Sequence, residues 1–128
     1  GMRLIAGKVL MDQNALLEIL DTAVGGIADS ETLINKWHGK GRLGYAITPR
    51  FAGSSSVQQL QLAGELHKKY PDTWVQTHLS ENRDEIEWVA KIHPDTSDYL
   101  NAYEKYGLVG QRSVFAHCIH LTDSERGR

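Results

Sequence analysis

The 128-residue sequence has one cysteine, no long apolar run and no excess of basic charge. Cys118 has no second cysteine to pair with, which excludes an internal disulfide and favours a reducing compartment. The formal net charge of −2 leaves no basic excess to neutralise phosphates, so nucleic acid is not expected as a partner. No apolar run approaches the ~20 residues of a membrane span, and no signal-peptide pattern is found. We therefore expect a cytoplasmic protein that does not bind membranes and whose partner is a small molecule or another protein chain.

A regular alternation of strand-like and helical patterns runs along the chain. Strand-like runs occupy residues 3–11, 43–47, 73–77 and 113–119, and helical patterns separate them. Such alternation predicts right-handed crossovers and a parallel sheet. Four units share 128 residues, or 32 each, and a complete eight-unit barrel has about 31 per unit. The predicted fold class is therefore α/β, with residues 1–128 forming one partial barrel domain: four βα units of a parallel (β/α)8 TIM-type barrel, an incomplete half barrel.

Capping and breaking residues give the boundaries of the predicted helices. Asn82, with Glu85 three residues later, resembles a capping box that opens a helix, and Pro94 breaks that helix. The other helical patterns run from Asp29 or Ser30 to Gly39, over residues 60–66 before Pro71, and over residues 99–106 before Gly107.

His78 and Glu81 follow the third predicted strand and are the first candidates for chemistry. A histidine at a strand end can offer a ring nitrogen to a metal, and a glutamate three residues later could pass protons at the same site. In parallel α/β folds, chemistry collects at the carboxyl ends of the strands. The alternatives are a His78 bonded only to backbone and a Glu81 that simply favours a helix N-terminus.

His117 lies at the end of the fourth predicted strand, where it could bind a metal or orient a metal-bound water. Strand alternation places His117 on the same face as Phe115 and Ile119, with Cys118 on the other face. We expect Cys118 to pack as a small apolar residue.

Arg50 and Phe51 follow the second predicted strand. The guanidinium fork could hold a planar, hydrogen-bonding substrate, and the phenyl ring could stack on it. An arginine that bridges to a neighbouring carboxylate is the alternative. Because the ends of three successive parallel strands meet at one face, Arg50, His78 and His117 are predicted to converge there.

Four segments together resemble the guanine deaminase family of the amidohydrolase superfamily: residues 7–12, 48–51, 76–85 and 115–118. The resemblance implies that His78 is a zinc ligand, that Glu81 moves protons, and that His117 holds the attacking hydroxide. It also implies that Arg50 and Phe51 position guanine, with His78 and Glu81 also in contact with the substrate.

The family's zinc centre also uses a His-x-His pair and an aspartate from other strands, and no His-x-His occurs in this sequence. The resemblance therefore implies about strands 3–6 of a zinc-dependent guanine deaminase, a central piece that is inactive by itself. Copies of the chain in a homo-oligomer, or flanking segments of the same protein, would complete it. Two alternatives stay open: an aminohydrolase of a triazine, pyrimidine or adenosine-type amine, and a non-catalytic assembly domain.

Overall fold

Strands and helices alternate along residues 1–128 of the computed structural model. The strands are β1 (Leu4–Ala6), β2 (Val9–Leu10), β3 (Leu43–Pro49), β4 (Trp74–Leu79) and β5 (Ser113–His117). The helices are α1 (Ala23–Trp37), α2 (Val57–Lys69), α3 (Arg83–Ile92), α4 (Tyr99–Glu104) and α5 (Asp123–Arg126), with a 3-10 turn at Leu17–Ile19. None of these helices is long and apolar enough to cross a membrane.

All strand pairs are parallel, and the order across the sheet is β1-β3-β4-β5. β1 pairs with the start of β3, and β2 pairs with the end of β3 along the same edge. The carboxyl ends of β3, β4 and β5 therefore lie side by side. The predicted parallel α/β arrangement of four βα units is confirmed.

The prediction of one continuous strand over residues 3–11 is wrong. It is interrupted at Gly7 and Lys8, between β1 and β2. The Lys8 N–H donates to the Tyr45 hydroxyl at 3.1 Å instead of joining the backbone ladder, and the Lys8 ammonium pairs with Asp21 at 2.5 Å. A side-chain acceptor thus replaces the strand partner at this point.

The first helix begins at Ala23, well before the predicted caps at Asp29 and Ser30. Thr22 is the N-cap, and its side chain accepts the Gly25 N–H at 2.9 Å. Two consecutive glycines lower the helix propensity of this first turn and conceal it in the sequence. Packing outweighs that cost, because the helix buries a stripe at helical spacing: Ala23, Gly26, Ser30 and Ile34.

The capping box at α3 is confirmed. The Asn82 side chain accepts the Glu85 N–H at 2.8 Å, and the Glu85 carboxylate accepts the Asn82 N–H at 3.4 Å. Since only three residues separate the end of β4 from the start of α3, this cap fixes the short connection that carries Glu81.

The hydrophobic core lies between the sheet and the helices. Strand β4 alternates, with Val75, Thr77 and Leu79 buried and Trp74, Gln76 and His78 half-buried on the other face. The core packs the buried strand residues against helical residues such as Leu60, Val89 and Tyr103. One edge of the sheet is formed by β1 and β2, and the other edge by β5. Leu4 on the first edge and Val114 on the second are each about half exposed. The half barrel thus has two open sheet edges.

Candidate active site

All five predicted site residues line one cleft at the carboxyl ends of β3, β4 and β5. The cleft has a volume of about 640 Å³, in the range of small-molecule sites. Its lining comprises Arg50, Phe51, His78, Glu81, Asn82, Asp84, Glu85, Trp88 and His117. The predicted convergence of three strand ends is therefore observed, while the chemical roles of the five residues stay predictions.

The His78 ring is oriented by the backbone of the neighbouring strand. Its Nδ1 lies 2.6 Å from the Arg50 carbonyl oxygen, which can only accept, so Nδ1 carries the proton. The other ring nitrogen, Nε2, then has a free lone pair. A histidine held in this way, with one nitrogen on a carbonyl and the other unprotonated, has the arrangement of a metal ligand.

His117 reaches the same cleft because the backbone changes conformation at the end of β5. His117 pairs in register with the buried Leu79, so strand alternation would place its side chain on the core side. Its φ of 72°, followed by 54° at Cys118, turns the chain out of the extended conformation. The His117 ring stacks on the His78 ring, with centroids 5.4 Å apart.

The prediction that His117 shares a face with Phe115 is therefore wrong. Phe115 packs against the core, whereas His117 lies in the cleft. Cys118 also packs against the core, as predicted for a small apolar residue, and burial raises the pKa of its thiol. Backbone bonds from the Cys118 N–H to the Leu79 carbonyl, at 2.9 Å, hold this turn against the end of β4.

Glu81 lies between the strand end and α3, with its carboxylate 3.5 Å from His117 Nε2. Both side chains are partly exposed to the cleft, at 48% for Glu81 and 36% for His117. The Glu81 N–H donates to Glu85 Oε2 at 3.1 Å, and Glu85 Oε1 accepts the Tyr99 hydroxyl at 2.6 Å. Burial raises the pKa of Tyr99 above its ordinary value, so this hydroxyl remains a donor. The backbone of Glu81 is thus fixed while its carboxylate is free to face a reacting group.

Arg50 makes no ion pair in residues 1–128, so the alternative of a structural bridge to a carboxylate is not observed. Its Nη1 contacts only the Met11 sulfur, at 3.8 Å, and its side chain is open to the cleft. Phe51 packs against Trp88, with ring centroids 5.8 Å apart at an angle of 57°. The guanidinium is therefore available to a ligand beside an aromatic wall.

Sequence reasoning did not assign four of the cleft residues to the site, namely Asn82, Asp84, Glu85 and Trp88, and Trp88 is the aromatic one. On α3, Ile86, Val89 and Ala90 form the predicted apolar face, and Trp88 lies on the opposite side of the helix. A large aromatic residue on the polar side of an amphipathic helix is a signal for a binding surface, and it could have identified Trp88. Its ring is 36% exposed.

Within residues 1–128, no group of three or more His, Cys, Asp or Glu side chains is placed to hold a metal ion. His78 fits as one ligand, because its Nδ1 is bonded to the Arg50 carbonyl, which leaves Nε2 for a metal, and the ring lines the cleft. Catalytic zinc normally takes three protein ligands. The site in this chain therefore offers part of a metal centre.

A parallel α/β half barrel with its polar cleft at the strand carboxyl ends defines a catalytic-barrel type of domain. The chain belongs to the amidohydrolase family, whose sequence profile matches residues 1–128.

Individual relatives agree with this assignment. The chain is 55% identical over 128 residues to guanine deaminase from Escherichia coli strain K12, covering 100% of this chain and 29% of that protein. The solved E. coli structure superposes with a TM-score of 0.96 over 97% of this chain. Guanine deaminase from C. acetobutylicum, solved with guanine in its active site, is 36% identical with a TM-score of 0.89, covering 94% of this chain and 29% of that one.

A mutant atrazine chlorohydrolase from Arthrobacter aurescens TC1, solved with zinc and atraton, shares the fold. Its TM-score is 0.85 at 16% identity, over 98% of this chain and 29% of that chain. The predicted TIM-type half barrel and the predicted family resemblance are confirmed. The chain spans about 29% of the length of the E. coli relative that it matches.

Proposed function

We propose that this chain forms part of the active site of a zinc-dependent guanine deaminase, which hydrolyses guanine to xanthine and ammonia. The observation that carries the proposal is the convergence of Arg50, Phe51, His78, Glu81 and His117 on one cleft. Support for guanine as the substrate comes from the relatives, which include guanine deaminases that are 55% and 36% identical to this chain.

His78 would hold the metal through Nε2, since its Nδ1–H is committed to the Arg50 carbonyl. The chemistry that zinc would supply there is a lowered pKa of water, which would make a nucleophile available near pH 7. The remaining ligands are proposed to come from strands that the longer relatives possess outside the matched region, or from another copy of the chain in a homo-oligomer. By itself, the chain is proposed to be inactive.

Glu81 is proposed to move protons between the attacking water, the purine ring nitrogen and the departing amine. Water adds its oxygen to the carbon that bears the amino group, the C–N bond then breaks, and nitrogen leaves as ammonia after receiving a proton. A carboxylate at this position avoids the departure of a high-energy amide anion. His117 lies 3.5 Å from Glu81 and is proposed to hold the attacking water in line.

Arg50 and Phe51 are proposed to recognise guanine. The guanidinium carries donors in a fixed planar fork that suits the acceptors on a purine edge. Phe51 and the adjoining Trp88 offer aromatic surface to the ring plane. A small purine substrate needs neither a membrane nor nucleic acid as a partner, and we propose a cytoplasmic enzyme.

Ammonia release from guanine by the zinc-loaded full-length protein tests this function. The protein should deaminate guanine in preference to melamine, cytosine and adenosine, which stand for the triazine, pyrimidine and adenosine-type alternatives. Turnover of one of those amines without turnover of guanine would overturn the substrate assignment. A metal-free, discrete oligomer with no turnover of any amine would instead favour the assembly domain.

Arg50→Ala tests the recognition step, and Arg42→Ala is its matched control at the opposite end of β3. A hydrogen bond to a charged group contributes about 1.5–3 kcal/mol, so kcat/KM for guanine should fall roughly 10- to 150-fold in Arg50→Ala. Arg42 makes no side-chain bond and lies outside the cleft, so its variant should keep the wild-type value. Equal values for all three proteins would remove Arg50 from the recognition of guanine.

A further inference from the structure

Tyr103, on helix α4, lies directly behind the cleft, and its hydroxyl has three buried hydrogen-bond partners. The residue has no solvent exposure. Its oxygen lies 2.8 Å from the Ala52 nitrogen, 3.2 Å from Thr77 Oγ1 and 2.8 Å from the His78 carbonyl oxygen. These three partners belong to the two segments that carry the substrate-binding pair and the metal-ligand candidate.

The direction of each bond follows from its groups. The Ala52 N–H must donate to the Tyr103 oxygen, and the Tyr103 hydroxyl must donate to the His78 carbonyl. The Thr77 hydroxyl lies 3.2 Å from both the Tyr103 oxygen and the Arg50 carbonyl oxygen, and that carbonyl also accepts the N–H and Nδ1–H of His78, at 3.1 and 2.6 Å. The Tyr103 hydroxyl thus accepts from the Ala52 N–H and donates to the His78 carbonyl.

Ala52 follows Phe51 directly, and both of its polar backbone groups are held from outside the cleft. Its N–H is bound by Tyr103, and its carbonyl accepts the Nε2–H of the buried His93 at 2.8 Å. Burial raises the pKa of Tyr103 to about 12, so the hydroxyl stays protonated at any working pH. Tyr103 thus adds a second connection between the Phe51 loop and the end of β4, beside the bonds from His78 to the Arg50 carbonyl.

We propose that Tyr103 is a positioning residue that sets the distance between the substrate loop at Arg50–Ala52 and the strand end at His78. It touches neither the substrate nor the metal, and it acts by clamping Ala52 to the His78 carbonyl. The proposal rests on the proposed function for its kinetic consequence, whereas the clamp itself is a property of the fold.

Tyr103→Phe in the zinc-loaded full-length protein tests the proposal, because the ring contacts with Tyr99 and Phe115 remain. A displacement of about 1 Å between reacting groups can cost on the order of 100-fold in rate. We expect kcat for guanine to fall at least tenfold, with KM within threefold of wild type and zinc content unchanged. If Tyr103 only stabilised the fold, the variant would be less stable but would keep its kcat per bound zinc.

Tyr45→Phe is the matched control. Tyr45 is also a buried tyrosine whose hydroxyl accepts one backbone N–H, from Lys8, and it lies towards the opposite end of β3 from the cleft. It should lose stability without losing kcat. Thr77→Val is a second variant of similar shape that removes the Thr77 hydroxyl, with its contacts to the Tyr103 oxygen and the Arg50 carbonyl, and it should lower kcat two- to fivefold.

Hydrogen exchange of the Ala52 amide separates failure of this proposal from failure of the proposed function. In Tyr103→Phe this amide should exchange at least tenfold faster, whereas the amide of Val75, bonded to the Arg112 carbonyl, should not change. If wild type does not turn over guanine, the proposed function fails and the exchange result alone decides the clamp. Unchanged Ala52 exchange, or an equal loss of kcat in Tyr45→Phe, would overturn the assignment of Tyr103.

Discussion

Gly53 lies where the Phe51 and Trp88 rings leave no room for a side chain, and Gly53→Ala perturbs that contact directly. A Cβ at this position would lie 2.3 Å from Phe51 Cε2 and 2.6 Å from Trp88 Cζ3. The backbone cannot withdraw freely, because the Gly53 carbonyl accepts the Asn14 side-chain amide at 2.9 Å. The two rings must therefore move apart.

The expected changes in the free energy of unfolding and in KM follow from the displacement of the two rings. Overpacking costs about 1–3 kcal/mol, and the gain of a Cβ returns about 0.4–1 kcal/mol through the unfolded chain. The free energy of unfolding should therefore fall by about 1–2 kcal/mol. An aromatic contact is worth about 0.5–1.5 kcal/mol, so loss of the proposed contact between Phe51 and guanine should raise KM roughly 2- to 13-fold.

Steady-state kinetics on guanine and urea unfolding, both with the zinc-loaded full-length protein, measure the two effects. Gly110→Ala is the matched control, since a Cβ there meets nothing within 4 Å. The control should retain the wild-type KM and stability within error. A Gly53→Ala protein with wild-type KM for guanine would refute the placement of Phe51 against the substrate.

Other predictions concern the supports of the fold and the lone thiol. Asn82→Ala removes the N-cap of α3 and should lower the free energy of unfolding by about 1 kcal/mol in urea titrations. Gly64→Ala should lower it by about 1–3 kcal/mol, because its Cβ would lie 1.9 Å from the backbone oxygen of Tyr106, and wild-type stability would contradict that contact. Burial raises the pKa of the Cys118 thiol, so less thiolate is present at pH 7.5. Alkylation by iodoacetamide should accordingly be slower than for a free thiol and accelerate up to a pH above the thiol's ordinary pKa.

Strand order and the position of the site follow from local patterns, and these were predictable. Alternating strand and helix periodicity gives parallel strands, whose carboxyl ends must meet, so Arg50 and His78 could be placed together without coordinates. The Asn82–Glu85 capping box could be predicted because both of its hydrogen bonds join residues that are close in the sequence. The family resemblance then supplied the chemistry.

Features that depend on tertiary contacts were not predictable from the sequence. Nothing in the residues around His117 requires a φ of 72°, which is held by bonds between the turn after β5 and the end of β4. The break at Lys8 depends on a tyrosine hydroxyl 37 residues away. From the sequence, Tyr103 is recognisable only as an apolar residue in a helical pattern, because its partners at Ala52 and His78 are distant in the chain.

The central claim is that Glu81 moves protons in a guanine-hydrolysing site, and Glu81→Gln tests it most directly. An amide keeps the shape of the side chain but cannot accept and release a proton at neutral pH, so kcat for guanine should fall roughly 10²- to 10⁴-fold. Guanine binding and zinc content should stay at wild-type levels, and Glu87→Gln, an exposed α3 residue outside the cleft, should keep wild-type turnover. Wild-type turnover by Glu81→Gln at full zinc content would contradict the account.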